Sequence, residues 1–309
     1  MNIVEIENVT KTFGKYTAVD KLSLNVPQGS VYGFIGPNGS GKTTTLRMIM
    51  NILYPDSGTI RIFGEELHKS CTDRIGYMPE ERGLYKKMKV IDVLRFYGEL
   101  KSGHKVNDEV DFWLARLDLT EWGNKKVEPL SKGMSQKVQF IATIVANPEL
   151  VILDEPFGGL DPVNADVLRN AVLELRAKGT TIIFSTHDMS DAERMCDFIF
   201  MLFKGKKVLD GTLESIQDSY GDDVIRLHIE GGVDHLHNIN GVEKISDFGQ
   251  VQELRVSHSY DPQAVLTEIM SKARVKSFEL TKPSLYDIFL RIAGTEAKEY
   301  EYAQNTQTS

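Results

Sequence analysis

The spacing of apolar positions along this chain changes several times, and each change marks an element. Short runs come first: "NIVEIENV", "LSLNV", "VYGFIG" and "GTIRIFG" read as strands, punctuated by turn residues such as Pro27, Gly29 and "YPDSG". Among them one helix is expected to begin at Lys42. From about Val90 to Asn147, "VIDVLRFYGEL", "DEVDFWLARLDL" and "SQKVQFIATIVA" place apolar residues three or four apart, which predicts a helical insert. Strand signals return in "LVILDEP", "GTTIIFST" and "FIFMLFKGKKV"; two of these are continuous apolar runs, the pattern of parallel strands covered on both faces. "NADVLRNAVLELRAKG" and "DMSDAERMCD" read as the covering helices. The first part of the chain therefore predicts an α/β domain with a parallel sheet, interrupted by helices.

After about Leu213 the pattern changes. "DVIRLHIEG" sets Ile225, Leu227 and Ile229 against Arg226, His228 and Glu230, the alternation of a half-buried strand, and "QELRVSH" repeats it. A helix "PQAVLTEIMSKA", a strand "VKSFEL" and an amphipathic helix "SLYDIFLRIAG" complete a small α+β domain over 216–294. The remaining 295–309, "TEAKEYEYAQNTQTS", lacks apolar periodicity and is expected to be disordered.

Composition narrows the function. The 309 residues are 41% hydrophobic, which suits one large domain and a smaller one. A net charge of −8 with dispersed Lys and Arg argues against a nucleic-acid surface, and no nucleic-acid partner is expected. Cys71 and Cys196 have no CxxC spacing and no accompanying histidine cluster, so they are expected to be reduced core thiols rather than a disulfide or zinc site. "MNIVEIENVTKTFGK" is too polar for a signal peptide, which places the chain in the cytoplasm. Apolar stretches such as "FIFMLF" fall far short of the ~20 residues that span a bilayer, so any membrane work is expected to go through a partner.

The chemistry starts at "GPNGSGKTT", which satisfies G-x-x-x-x-G-K-[ST] with Gly36, Gly41, Lys42 and Thr43. Glycines let backbone N–H groups turn toward phosphate oxygens, and the following helix presents its positive end. The whole loop, Gly36, Pro37, Asn38, Gly39, Ser40, Gly41, Lys42, Thr43 and Thr44, is assigned to nucleotide binding. Lys42 can reach the β- and γ-phosphates, and the Thr43 hydroxyl can hold Mg²⁺. In "LVILDEP" an apolar strand ends in two acids: Asp154 can bind Mg²⁺ through water, and Glu155 can accept a proton from a water attacking the γ-phosphate.

With these residues the chain resembles the nucleotide-binding subunit of an ATP-binding cassette transporter. "GPNGSGKTT" is similar to that family's Walker A, "VILDEP" to its Walker B, "GGLDP" with Asp161 to its D-loop, and "STHDM" with His187 to its switch histidine. "LSKGMSQKVQF" resembles the signature usually written LSGGQ, and Phe13 in "VTKTFG" matches the aromatic that stacks on adenine, with Tyr16 as the alternative. These motifs fall in family order from Phe13 to His187, about two-thirds of the chain. The resemblance implies a P-loop NTPase core over residues 1–215 with an inserted helical subdomain at about 85–147. It also implies ATP and Mg²⁺ as ligands, and a head-to-tail homodimer or pseudo-dimer in which Ser131 and Gly133 cover the ATP of the opposite domain. His187 would contact the γ-phosphate and orient the water-activating group.

Two departures stand out. Lys132 and Met134 replace the middle Gly and the Gln of the signature, leaving Ser131 and Gly133. Glu80 in "IGYMPEERGLYKKM" stands where the family has Gln, and it is assigned as a further catalytic and metal-contacting residue. The stretch "PEERGLYKKM" is similar to a subgroup of bacterial export-type ATPases that includes sodium-efflux ATPases. The resemblance therefore implies an ATPase held at the cytoplasmic face of the membrane by a separate permease subunit, coupled to it through this stretch and driving export. A ribosome-associated cassette factor is disfavoured by the single cassette and short helical insert. A nucleotide switch without catalysis is disfavoured by the presence of both Glu155 and His187.

Overall fold

The structure is a computed structural model and describes residues 1–294 except 82, 221–223, 231–235, 237–238, 248, 250 and 258–259. The expectation of a disordered 295–309 lies outside the described residues, as does Arg82 of the "PEERGLYKKM" stretch.

Two 12-residue strands, β1 (Asn2–Phe13) and β2 (Tyr16–Pro27), form an antiparallel hairpin. With β4 (Ser57–Ile62) and β5 (Glu65–Glu66) they make a sheet ordered β2-β1-β4-β5. The two-residue connection Gly14–Lys15 between β1 and β2 allows only antiparallel pairing, because parallel neighbours need a long crossover.

The second sheet has six strands: β3 (Val31–Ile35), β6 (Ile75–Met78), β7 (Leu150–Asp154), β8 (Thr181–Thr186), β9 (Phe198–Phe203) and β10 (Lys206–Gly211). Their order is β10-β9-β3-β8-β7-β6, parallel throughout except for β10. Every residue of β3, β7 and β8 is buried, as a strand covered on both faces requires. "FIFMLFKGKKV" is two strands rather than one: Lys204 (φ 49°) and Gly205 (φ 75°) both take the left-handed conformation that turns a tight hairpin.

Alternation along β7 sorts its side chains between two cores. Val151 and Leu153 face a core shared with α2 (Val90–Ser102), α3 (Asn107–Arg116), α4 (Lys132–Ile144) and α5 (Pro162–Ala177). Leu150 and Ile152 face the other, with α1 (Lys42–Ile49) and the antiparallel sheet. Helix α6 (Met189–Met195) follows β8. This sandwiched sheet brings the carboxyl ends of β3, β7 and β8 to one edge, where ligands of parallel α/β sheets bind.

Contacts divide the chain into two compact units, Met1–Thr212 and Leu213–Ser309. The second contains α7 (Leu213–Tyr220) and an antiparallel sheet ordered β12-β13-β11-β14, built from β11 (Val224–Glu230), β12 (Val242–Asp247), β13 (Gln252–Val256) and β14 (Arg274–Thr281). Helices α8 (Pro262–Lys272) and α9 (Leu285–Ala293) complete it. Ile225, Leu227 and Ile229 of β11 all face its core, as their alternation predicts. Two elements were not foreseen: "VEKISD" of β12 is too charged to announce a strand, and α7 buries only Ile216. Among the described residues no helix is long and apolar enough to cross a membrane.

Candidate functional site

The loop Gly36–Thr44 leaves the buried end of β3 and enters α1, and its shape depends on glycine. Gly36 sits at φ 150°, where a Cβ would lie 2.2 Å from the Leu202 carbonyl oxygen. At Gly41 (φ 107°) a Cβ would lie 2.5 Å from the Ala18 oxygen. No larger residue fits either place without moving backbone. The loop curls around Lys42, whose side chain is 6% exposed and whose ammonium donates to the carbonyls of Gly36 (2.6 Å) and Pro37 (3.3 Å). Burial holds Lys42 below its ordinary pKa of 10.5, against the pull of Glu155, Asp154 and Glu80.

The acid pair arrives from β7. Asp154, 1% exposed, accepts hydrogen bonds from Ser185 Oγ on the neighbouring strand β8 and from Thr43 Oγ1 at 3.3 Å. Glu155, one residue on, takes φ 51°, and its N–H donates to Ser185 Oγ at 3.0 Å. That turn sends its side chain between two partners. Oε1 lies 3.7 Å from Lys42 Nζ, and Oε2 lies 3.0 Å from His187 Nδ1 just beyond β8. Glu155 Oε1 is buried with no hydrogen-bond partner, an acceptor left open inside the site. The hydrogen bond to Glu155 raises the His187 pKa above 6.5, outweighing the partial burial that opposes it.

A cavity of about 340 Å³ lies over the loop, lined by Phe13, Tyr16, Ala18, Asn38, Gly39, Ser40, Gly41, Lys42, Thr43, Thr44, Glu80 and Glu155. Tyr16 spends its hydroxyl on the Gly39 carbonyl at 3.0 Å, while the ring of Phe13 is 48% exposed. The Tyr16 ring is 55% exposed, so both rings are open to the cavity. Glu80 reaches this cavity from the segment after β6; Gln139 of α4 holds that segment by donating to the carbonyls of Pro79 (3.0 Å) and Glu81 (3.3 Å).

The structure does not bring the remaining sequence-assigned residues into this cavity. Ser131 caps α4, its Oγ accepting from Met134 N–H at 3.2 Å. Gly133 follows in the first turn, packed near the Asn164 side chain. Asp161 caps α5, accepting from the Asn164 N–H (3.0 Å) and Nδ2 (2.6 Å), and these bonds hold its carboxyl below the usual range. Two supporting residues went unnoticed in the sequence. Ser185 ties both acids to β8, and its only sequence signal is its place two residues before His187. Gln139 announces itself through nothing but its helical spacing from Gln136, which donates to the Pro156 carbonyl.

A phosphate-cradling loop, a buried lysine and an acid pair at the carboxyl edge of a parallel sheet define a P-loop nucleotide hydrolase. The model of the family described as ABC transporter matches residues 19–158, and that of the ATP-binding protein DrrA1-3-like, C-terminal domain, matches 211–293. An uncharacterized ABC transporter ATP-binding protein of Bacillus subtilis, YhaQ, is 41% identical over 294 residues, 94% of this chain and 99% of that protein. Nod factor export ATP-binding protein I of Sinorhizobium fredii is 30% identical over 304 residues, 96% of this chain and 87% of that protein. A solved ATP binding subunit of an ABC transporter superposes with a TM-score of 0.66 at 30% identity, covering 71% of this chain and 93% of that structure. The chain belongs to the ATP-binding proteins of ABC transporters, and it is an ATPase.

Proposed function

We propose that the chain works as one half of a head-to-tail pair of nucleotide domains, a homodimer or pseudo-dimer, whose ATP hydrolysis drives export through a separate membrane-spanning subunit. The observation that carries this reading is the separation of two anion-binding elements. Among the described residues, the cavity over the phosphate loop is lined by none from 130–134, although the α4 N-terminus with Ser131 and Gly133 is itself built to meet an anion. A second domain would bring its own Ser131 and Gly133 to the ATP held here, with Asp161 at the same edge. Export is supported by the likeness to the Nod factor export protein, and the absence of a membrane-spanning helix among the described residues suits a subunit held at the cytoplasmic membrane face.

Within one domain, the roles follow from position. Phe13 stacks on adenine. Lys42 exchanges the carbonyls of Gly36 and Pro37 for the β- and γ-phosphates, and the loop N–H groups cradle the rest. Thr43 and Asp154 offer close, hard oxygen donors that fit Mg²⁺, which would neutralise phosphate charge. Glu155 accepts the proton of the attacking water on its open Oε1, and His187 holds that carboxylate in place from the other oxygen. Glu80 accepts a hydrogen bond from a metal-bound or attacking water. Residues 1–215 make up the ATPase domain and 216–294 a separate appended one.

Glu155→Gln keeps the shape of the base and removes its basicity, so hydrolysis should slow by roughly 10²-fold or more while ATP still binds. The ATP-bound pair should then accumulate, visible by size-exclusion chromatography with light scattering in ATP and Mg²⁺. A monomer under those conditions, with and without the membrane subunit, sinks the head-to-tail reading.

A further inference from the structure

Glu65, His68 and Cys71 recur at every third residue: Glu65 lies in β5, His68 is extended, and a 3₁₀ turn begins just after it. Residues Lys69–Arg74 form a 3₁₀ turn with His68 at its N-cap, and the Cys71 N–H closes onto the His68 carbonyl at 3.1 Å. The turn that closes from Cys71 N–H onto the His68 carbonyl brings the two side chains together, and Glu65 from β5 meets them. One donor atom from each, a carboxylate oxygen, an imidazole nitrogen and a thiol sulfur, lies within 4.8 Å of the others. Among the described residues no other group of three such side chains has this geometry.

From this arrangement we infer that Glu65, His68 and Cys71 bind a Zn²⁺-class transition-metal ion, separate from the nucleotide site. The donor set decides the class of ion. A thiolate with an imidazole and one carboxylate suits tetrahedral Zn²⁺, with water as fourth ligand, and is a poor site for Mg²⁺ or Ca²⁺, which take all-oxygen shells. The histidine is already oriented. Its Nδ1 lies 2.7 Å from Ser70 Oγ and its Nε2 2.9 Å from Glu65 Oε2. In the Nε2–H tautomer both contacts are ordinary hydrogen bonds, Ser70 Oγ donating to Nδ1 and Nε2–H to Glu65; a metal would select the Nδ1–H tautomer, which donates to Ser70 and frees Nε2 for the ion. Ser70 then fixes the tautomer from behind, as outer partners of metal-bound histidines do. Binding releases the Cys71 thiol proton to solvent.

Access is compatible with this. Glu65 and His68 are exposed and Cys71 is buried, so two of the three donors are open to solvent. Arg74 pairs with Glu149 at 2.6 and 2.7 Å and lies 3.7 Å over the Phe63 ring, and its remaining interaction with Glu65 and Cys71 is the charge an incoming ion has to work against. The turn leads directly into β6, whose far end carries the Glu80 segment. A metal would therefore clamp the base of the strand that enters the ATP cavity.

The test uses the full-length, tag-free, reduced chain without nucleotide and with excess Mg²⁺, so that the ATP site does not compete. Titration with Co²⁺ should give a thiolate-to-metal charge-transfer band saturating at one ion per chain, abolished by Zn²⁺. Competition with a chromogenic chelator then measures Zn²⁺ affinity. Ser70→Ala should weaken it about tenfold. His68→Ala and Glu65→Ala, both at exposed positions, should weaken it further, and Cys71→Ser should remove the charge-transfer band. Should Cys71→Ser fail to fold, His68→Ala and Glu65→Ala still decide. No thiolate band in the wild type, or Zn²⁺ affinity unchanged in His68→Ala and Glu65→Ala, overturns the assignment.

Discussion

At the scale of single residues the nucleotide site is a chain of charge held in place from both ends. Lys42, Glu155 and His187 follow one another at 3.7 and 3.0 Å, and the middle member carries the outer two. His187 has its pKa raised above 6.5 chiefly by the hydrogen bond to Glu155. A raised folded-state value means that the imidazolium is favoured in the native protein. Its stabilising contribution is complete below pH 6.5 and lost as pH rises through the native value. Because the imidazole is half exposed, solvent screens the pair and the effect on global stability is small. The protonation equilibrium itself is the better readout. Imidazole NMR of the free protein should show His187 titrating above 6.5, and Glu155→Gln should bring it back toward that value. A His187 titration unmoved by Glu155→Gln would show that the two side chains do not meet in solution.

Among elements, the joint of β3, loop and α1 concentrates the strongest constraint, and it was legible because it is local. Nine consecutive residues specify a strand exit, a glycine turn and a helix start, and the structure puts α1 at Lys42 as the pattern predicts. Gly36→Ala tests how rigid that joint is. The added methyl group meets the Leu202 carbonyl at 2.2 Å, and the positive φ adds about 1–2 kcal/mol of its own. Denaturant unfolding should report a loss above 2 kcal/mol with weakened ATP binding, whereas Gly14→Ala, at φ 60° with nothing within 4 Å, should cost only the backbone term. Equal effects of the two substitutions would remove the close approach at Gly36 from the account. Elements whose meaning depends on distant partners were harder to read. Strand β12 owes its existence to pairing with β13 rather than to its own charged sequence. Cys71, expected to be an inert core thiol, finds its neighbours only because the turn after His68 brings them together, and no helix or strand period reveals that.

Across the whole ATPase unit, the parallel sheet fixes the chemistry while the helical part reaches it through the glutamines of α4, Gln136 at the Pro156 carbonyl and Gln139 beside Glu80. Ser185 and Gln139 show why sequence alone did not reveal this: each acts across strands or helices separated by at least thirty residues of chain. Gln139 matters most here, since it ties α4 to the carbonyls on either side of Glu80; if the proposed role of Glu80 holds, a displacement of α4 would move Glu80 relative to bound phosphates. Such a lever needs an oxygen at its tip more than it needs a charge. Glu80→Gln keeps the acceptor and the segment's shape; it should sustain ATP hydrolysis and tighten ATP binding by about 1 kcal/mol or less, because one negative charge leaves a phosphate-rich cavity. Glu80→Ala deletes the acceptor, and hydrolysis together with its stimulation by a membrane subunit should fall by roughly tenfold or more. Steady-state ATPase assays of the wild type and both variants, with that subunit present, separate the two demands. If Glu80→Gln proves as inactive as Glu80→Ala, the carboxylate charge itself is required, and Glu80 belongs with a cation of the membrane subunit or directly with the metal.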